Sequence, residues 1–232
     1  MLLRRIALVL VLVVVGGCSA DPGEDRTLPA AGALVGASAE ALRDLRSVSF
    51  ELGLSGPVPG LPVREVAGEA ARGGGASGFA HGEADVQERT ERVQYDFRLA
   101  DGTLSLTDDE GNHTETPAPE QFTPARVLDP EHGLRGLLLG ATGLETENRE
   151  RIGEIPTYRV AGQVPEQVVS RLIPGIRSDV TVKFWISERP SRDLVRVWMQ
   201  IPPRQPNEGA VMLELALSRH NAPVDPTPAP TS

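Results

Sequence analysis

The sequence predicts an α+β layer: an antiparallel sheet, apolar on one side, with a few helices covering that side. Three observations carry this reading. Segments alternating between apolar and polar residues recur along the chain, most plainly Val48-Phe50-Leu52-Leu54 and Val180-Val182-Phe184-Ile186. Only a few short stretches have apolar residues at spacings of three and four. Glycine, proline and Asp-Gly pairs punctuate the segments, as turns between strands require.

The elements follow in order. Met1-Leu2-Leu3-Arg4-Arg5, an apolar run from Ile6 to Val15, and Gly16-Gly17-Cys18 have the layout of a secretory signal. The apolar run is shorter than the ~20 residues that cross a bilayer core. Val15-Gly16-Gly17-Cys18 resembles a bacterial lipobox, departing from its pattern at Val15 and Gly16. Residues 1–17 are thus expected to be removed, with lipid placed on Cys18, the only cysteine in the chain. Residues 18–29 then read as a lipidated tether, polar through Asp21-Pro22-Gly23-Glu24-Asp25. A helix is predicted over 31–46, with Leu34, Ser38, Ala41, Leu42 and Leu45 on one face. A strand follows from Val48 to Leu54, and Gly56-Pro57-Val58-Pro59-Gly60 turns the chain. Further strands are predicted near 62–71, 77–87, 92–100 and 103–107, with Asp101-Gly102 as a hairpin signal. Pro117 and Pro119 open an irregular stretch, followed by short apolar helices near 123–128 and 131–140. A strand from Thr157 to Val164 leads to a helix after Pro165, with Val168, Val169, Leu172 and Ile173 on its face. The last strands are Val180–Ser187, Leu194–Ile201 and Val211–Leu217. In the first two of these, Trp185 and Trp198 fall on one face. Residues 221–232 carry Pro223, Pro226, Pro228 and Pro230 and read as an extended or disordered tail. Residues 30–220 are a sensible length for one domain.

Composition narrows the function. Loss of residues 1–17 removes only Arg4 and Arg5 and leaves the remainder at −11, with 21 basic against 32 acidic side chains. A surface of that sign favours neither nucleic acid nor anionic headgroups. Lipidation of Cys18 would consume the only thiol, which leaves no disulfide, thiol catalyst or cysteine-based metal site. The single lysine, Lys183, among many arginines points to GC-rich codon usage and an actinobacterial source.

The motifs that carry chemistry are mostly missing. His81, His113, His132 and His220 lie at no metal-ligand spacing. There is no GxSxG elbow and no phosphate loop. Gly73, Gly75 and Gly78 satisfy GxGxxG, but the residues after them read as loop or strand, whereas a dinucleotide fingerprint must open a helix. Asp108-Asp109-Glu110-Gly111-Asn112 lacks the alternating ligand spacing of a calcium loop and reads as a solvated turn. The chain is therefore expected not to be an enzyme and to hold no cofactor or metal.

Several stretches, in order, carry a resemblance: Leu45-Arg46-Ser47-Val48-Ser49-Phe50, Val58-Pro59-Gly60-Leu61-Pro62-Val63, Ala100-Asp101-Gly102-Thr103-Leu104, Pro124 through Leu134, Tyr158 through Val164, Val182-Lys183-Phe184-Trp185-Ile186, and Leu215-Ala216-Leu217-Ser218-Arg219. Together they make the domain resemble the LppX/LprAFG family of actinobacterial lipoproteins, its LprG branch most of all. The resemblance implies a curved antiparallel sheet like a half-barrel, helices on its concave face, and an apolar cavity between them for acyl chains. It also implies a protein lipid-anchored on the outer face of the cell membrane that binds a multi-acylated lipid or glycolipid and carries it outward. A membrane exporter would be a natural partner, nucleic acid would not, and a monomer suffices.

Facing then nominates the lining. Val48, Phe50, Leu52, Val182, Phe184, Val197 and Met199 would come from the sheet, and Leu134, Leu137, Leu138, Val168 and Leu172 from the helices. The same face could instead be closed and dry, and the protein would then be an envelope interaction or assembly module. A lipid hydrolase is a third reading, for which the sequence offers no nucleophile motif. Two departures from the family, Ser105 where relatives tend to carry an aromatic and the acidic segment Asp108–Pro119, bear on the cavity mouth.

Overall fold

A computed structural model describes residues 27–225 apart from 89, 90 and 206. Cys18, the signal segment, most of the tether and residues 226–232 lie outside these.

The first helix, α1 (Ala31–Arg43), forms because Ala31, Leu34, Val35, Ser38, Ala39 and Leu42 repeat at three and four residues and bury one face. It ends three residues earlier than its apolar spacing predicts. Asp44 closes the last turn, while Leu45 beyond it is still buried. The chain then enters β1 (Ser47–Leu54) and runs as a meander through β2 (Val63–Ala71), β3 (Phe79–Glu88), β4 (Glu91–Ala100), β5 (Thr103–Asp108) and β6 (His113–Pro117). The β4–β5 hairpin turns on Asp101 and Gly102 at φ 49° and 78°, the left-handed pair that a two-residue loop demands. The turn between β5 and β6 holds itself together. Asp108 Oδ1 accepts from the backbone N–H groups of Glu110 and Asn112, at 3.0 and 2.8 Å.

A 3-10 turn at Glu120–Phe122 leads to α2 (Pro124–Val127) and α3 (Leu134–Leu139). A second meander follows: β7 (Thr142–Ile152), β8 (Ile155–Val164), the short α4 (Glu166–Val169), β9 (Val180–Ser187), β10 (Leu194–Ile201) and β11 (Val211–Ser218). Among the described residues the eleven strands make one antiparallel sheet in the order β6-β5-β4-β3-β2-β1-β11-β10-β9-β8-β7. The two meanders meet where β1 pairs with β11, at the centre. β6 and β7 were not expected, and they form the two edges.

α1 packs on β7, β9 and β10 and against α3, while α2 lies on β2 and β3. The core therefore sits mainly between the helices and the β8–β11 half. Arg135 on α3, 8% exposed, donates to Glu131 and to Glu40 on α1, at 3.1 Å each, and ties the two helices together. The opposite face of the sheet is polar. There Lys183 and Arg159 converge on Glu147, and Trp185 Nε1 donates to Glu150 at 2.8 Å beneath the Arg196 guanidinium. Trp185 stands opposite Arg196, and Trp198 opposite Lys183, so the two tryptophans share a face without being cross-strand partners.

Candidate functional site: an apolar trough on the helix side of the sheet

Register places the helix-side residues in rows across β1 to β6. One row runs Val48, Ala70, Ala80, Leu99, Leu104 and Thr116. The next runs Phe50, Gly68, Gly82, Phe97, Leu106 and Thr114. A third runs Leu52, Val66, Ala84, Tyr95 and Asp108. Beyond these, Val63, Val86 and Val93 continue the apolar face. The first row is buried from Val48 to Leu99, where α2 covers β2 and β3. In the second and third rows Phe50, Leu52, Val66, Tyr95, Phe97 and Leu106 keep part of their surface accessible. The outcome is a trough with walls on β1 and β4 and a floor of small residues on β2 and β3.

The floor is forced by the backbone. A Cβ on Gly68 would stand 2.1 Å from the His81 carbonyl oxygen, and one on Gly82 2.0 Å from that of Ala67. Gly82 also has φ 153°. Two strands this close at a cross-strand pair bend the sheet locally, and only glycine fits there. A second close approach shapes one end. Gly175 lies so near Pro59 that a Cβ would meet its carbonyl oxygen at 1.8 Å. The turn it touches buries Val58 and Leu61.

The twelve residues nominated from the sequence divide in two. Phe50, Leu52 and Val168 are partly buried against the core. Val48, Met199, Leu134, Leu137 and Leu172 are buried. Val182, Phe184, Val197 and Leu138 are 0% exposed, so these four border no space that would admit a water molecule. Where α1 sits, helix and sheet are in direct packing contact, and accessible apolar surface is found on the β1–β5 half. Phe97, Leu106, Val66 and the Gly68–Gly82 pair were not nominated. Alternation along β4 and β5 could have found the first two; the glycines carry no apolar signal.

At the trough's outer end Tyr95 donates its hydroxyl to Glu88 at 2.6 Å, and this hydrogen bond pushes the phenol up to about 12. No group of three or more His, Cys, Asp or Glu residues among those described could hold a metal ion. No helix among the described residues is long and apolar enough to cross a membrane.

An open, curved antiparallel sheet with an apolar helix side matches known proteins. The profile of the LppX_LprAFG lipoprotein family matches residues 30–226. This chain belongs to that family. The lipoarabinomannan carrier protein LprG of Mycolicibacterium hassiacum is 27% identical over 221 residues, covering 93% of this chain and 92% of the relative. LprG of Mycobacterium tuberculosis is 28% identical over 201 residues, covering 83% and 84%. The crystal structure of LprF from Mycobacterium bovis superposes with a TM-score of 0.72 at 23% identity, covering 87% of this chain and 97% of LprF. That of LppX from Mycobacterium tuberculosis gives 0.65 at 22%, covering 85% and 100%. The LppX_LprAFG family match thus spans nearly the whole described chain.

Proposed function

We propose that this LppX_LprAFG lipoprotein binds a multi-acylated lipid or glycolipid in the trough and carries it outward from the membrane. The carrying observation is the half-accessible apolar trough between Phe50 and Phe97, in a chain whose relatives are named lipoarabinomannan carriers. Each methylene withdrawn from water contributes about 0.8 kcal/mol. A carrier of acyl chains therefore needs shaped apolar surface more than reactive groups, and the trough offers that. In this reading Phe50 and Leu52 face the lipid together with Phe97 and Leu106. Leu134, Leu137, Leu138, Val168, Leu172, Val182, Phe184, Val197, Met199 and Val48 form the wall behind. Lipid on Cys18 holds the protein at the outer face of the cell membrane as a monomer, and a membrane exporter is the partner that receives or supplies the ligand.

A second reading rests on the direct packing of α1 on the sheet. A domain closed there suits an envelope interaction or assembly module. Native mass spectrometry of the chain from residue 19 onward, made in an actinobacterial host, separates the two. Discrete extra mass that dissociates as diacyl or triacyl lipid, and falls at least tenfold in Leu106→Arg, is the expected result. Lipid-free protein that also refuses added glycolipid would sink the carrier reading.

A further inference from the structure

The floor of the trough is graded along its length. Successive helix-side pairs of β2 and β3 are Val63 with Val86, Val66 with Ala84, and Gly68 with Gly82. Side chains shrink in that order, so the floor drops in the direction of α2. The walls stay tall beside the glycines, where Phe50 stands on β1 and Phe97 on β4.

The two ends differ in kind. The pair after the glycines, Ala70 and Ala80, is buried where α2 lies on β2 and β3. The helix sits on the start of β3 without a gap. The Ala125 N–H donates to the Ser77 carbonyl at 3.0 Å, and a Cβ on Gly78 would stand 2.9 Å from Pro124. Pro124 is itself buried. At the other end the helix-side residue after Val86 is Glu88, which is exposed and accepts from the Tyr95 hydroxyl at 2.6 Å. The apolar floor stops there, and groups that hydrogen-bond with water begin. A polar headgroup pushed under α2 would lose its partners in water, whereas at Glu88 it keeps them. An amphiphile therefore fits in one direction only.

Register also gives the length. The apolar floor runs from midway between Ala80 and Gly82 to midway between Val86 and Glu88, about six residues of β3, or ~20 Å at about 3.3 Å each. An extended acyl chain advances about 1.25 Å per carbon, the projection of a carbon–carbon bond of about 1.5 Å at a tetrahedral angle. The floor is thus as long as a chain of about 16 carbons.

We propose that the trough is a single-ended slot that takes an acyl chain tail-first and measures it. The terminal methyl lodges over Gly68 and Gly82 against α2, the headgroup stays at Glu88 and Tyr95, and carbons beyond about the sixteenth remain in water. This rests on the lipid-binding reading above and adds to it an orientation and a length limit. Val66 and Ala84 are the specificity-determining residues, because they set the floor height that a tail must pass to reach the glycines.

The test uses the chain from residue 19 onward, which contains every strand and helix of the fold. Glucose monoesters with acyl chains of about 8, 12, 16, 20 and 24 carbons, bracketing the length of the floor, are titrated singly by native mass spectrometry below their micellar concentrations. Binding should strengthen by up to about fourfold for each added carbon and level off near 16. Val66→Phe raises the floor from β2 and Ala84→Leu raises it from β3. The levelling point should move at least four carbons shorter in each variant that keeps the cooperative unfolding of the parent, by the register above. The parent series tests the limit even where a variant does not fold. Affinity that keeps rising from 16 to 24 carbons, or a levelling point unchanged in a folded variant, overturns the slot and leaves the carrier reading standing. No binding at any length sinks the carrier reading and the slot with it.

Discussion

Ser38 is fully enclosed on the buried face of α1, and its hydroxyl has no hydrogen-bond partner among the described residues. Such a group contributes nothing to packing that alanine would not, and its desolvation opposes folding by about 1–3 kcal/mol. Ser38→Ala should therefore raise the melting temperature by roughly 2–4 °C, the shift expected of about 1 kcal/mol in a domain this size. A fall on thermal denaturation would mean the hydroxyl is satisfied after all. Ser38 was readable as a buried position from its helical spacing; its missing partner was not, since partners come from other elements. The trough shows the same division. Phe50 and Leu52 follow from alternation along one strand. Gly68 and Gly82 matter through the carbonyl oxygens of Ala67 and His81 on the paired strand, which no single segment of sequence displays.

Among the elements, β7 forms one edge of the sheet. Alternation failed to reveal it because its residues are mostly polar on both sides, and two irregularities interrupt its pairing with β8. β6 escaped for a related reason: every residue in it is exposed, so no apolar face marks it. Both are edges, where water replaces the second neighbour and breaks in register or charge discourage pairing with other chains. The interior strands, buried on at least one side, were legible within a few residues, as were the four helices. β7 is joined to the sheet partly by Glu147, which accepts from Lys183 on β9 at 3.0 Å and pairs with Arg159 on β8. Burial pushes this carboxyl up, but the hydrogen bonds from Lys183 and Arg159 outweigh it and hold the acid below its ordinary range. A group depressed in the folded state stabilises above its unfolded pKa, about 4.3, and loses that contribution as pH falls through the folded value. Glu147→Gln should thus cost about 1 kcal/mol near pH 7, a figure kept small by partial solvent screening. The difference from the parent should shrink towards zero below about pH 4 in urea titrations. A difference that is constant with pH would remove the ion pairs as its cause.

For the whole molecule, topology governs. β1 has β2 on one side and β11 on the other, so the first and last strands stand together in mid-sheet. Phe50 faces Leu217 across that junction, and Leu52 faces Leu215. A chain ending at residue 210 would keep ten strands but leave β1 and β10 as bare apolar edges. It should show no cooperative urea transition, while the parent unfolds in one step; a sharp transition in the truncated chain would show that each meander folds by itself. Individual strands were visible in the sequence, but this closure was not, because it joins residues as distant along the chain as Phe50 and Leu217. During synthesis the domain is thus an arch without its keystone. Everything from α1 to β10 is made before the strand that locks the two flanks arrives, and until then the apolar surface around Phe50 and Val197 is open to whatever holds or degrades unfinished chains.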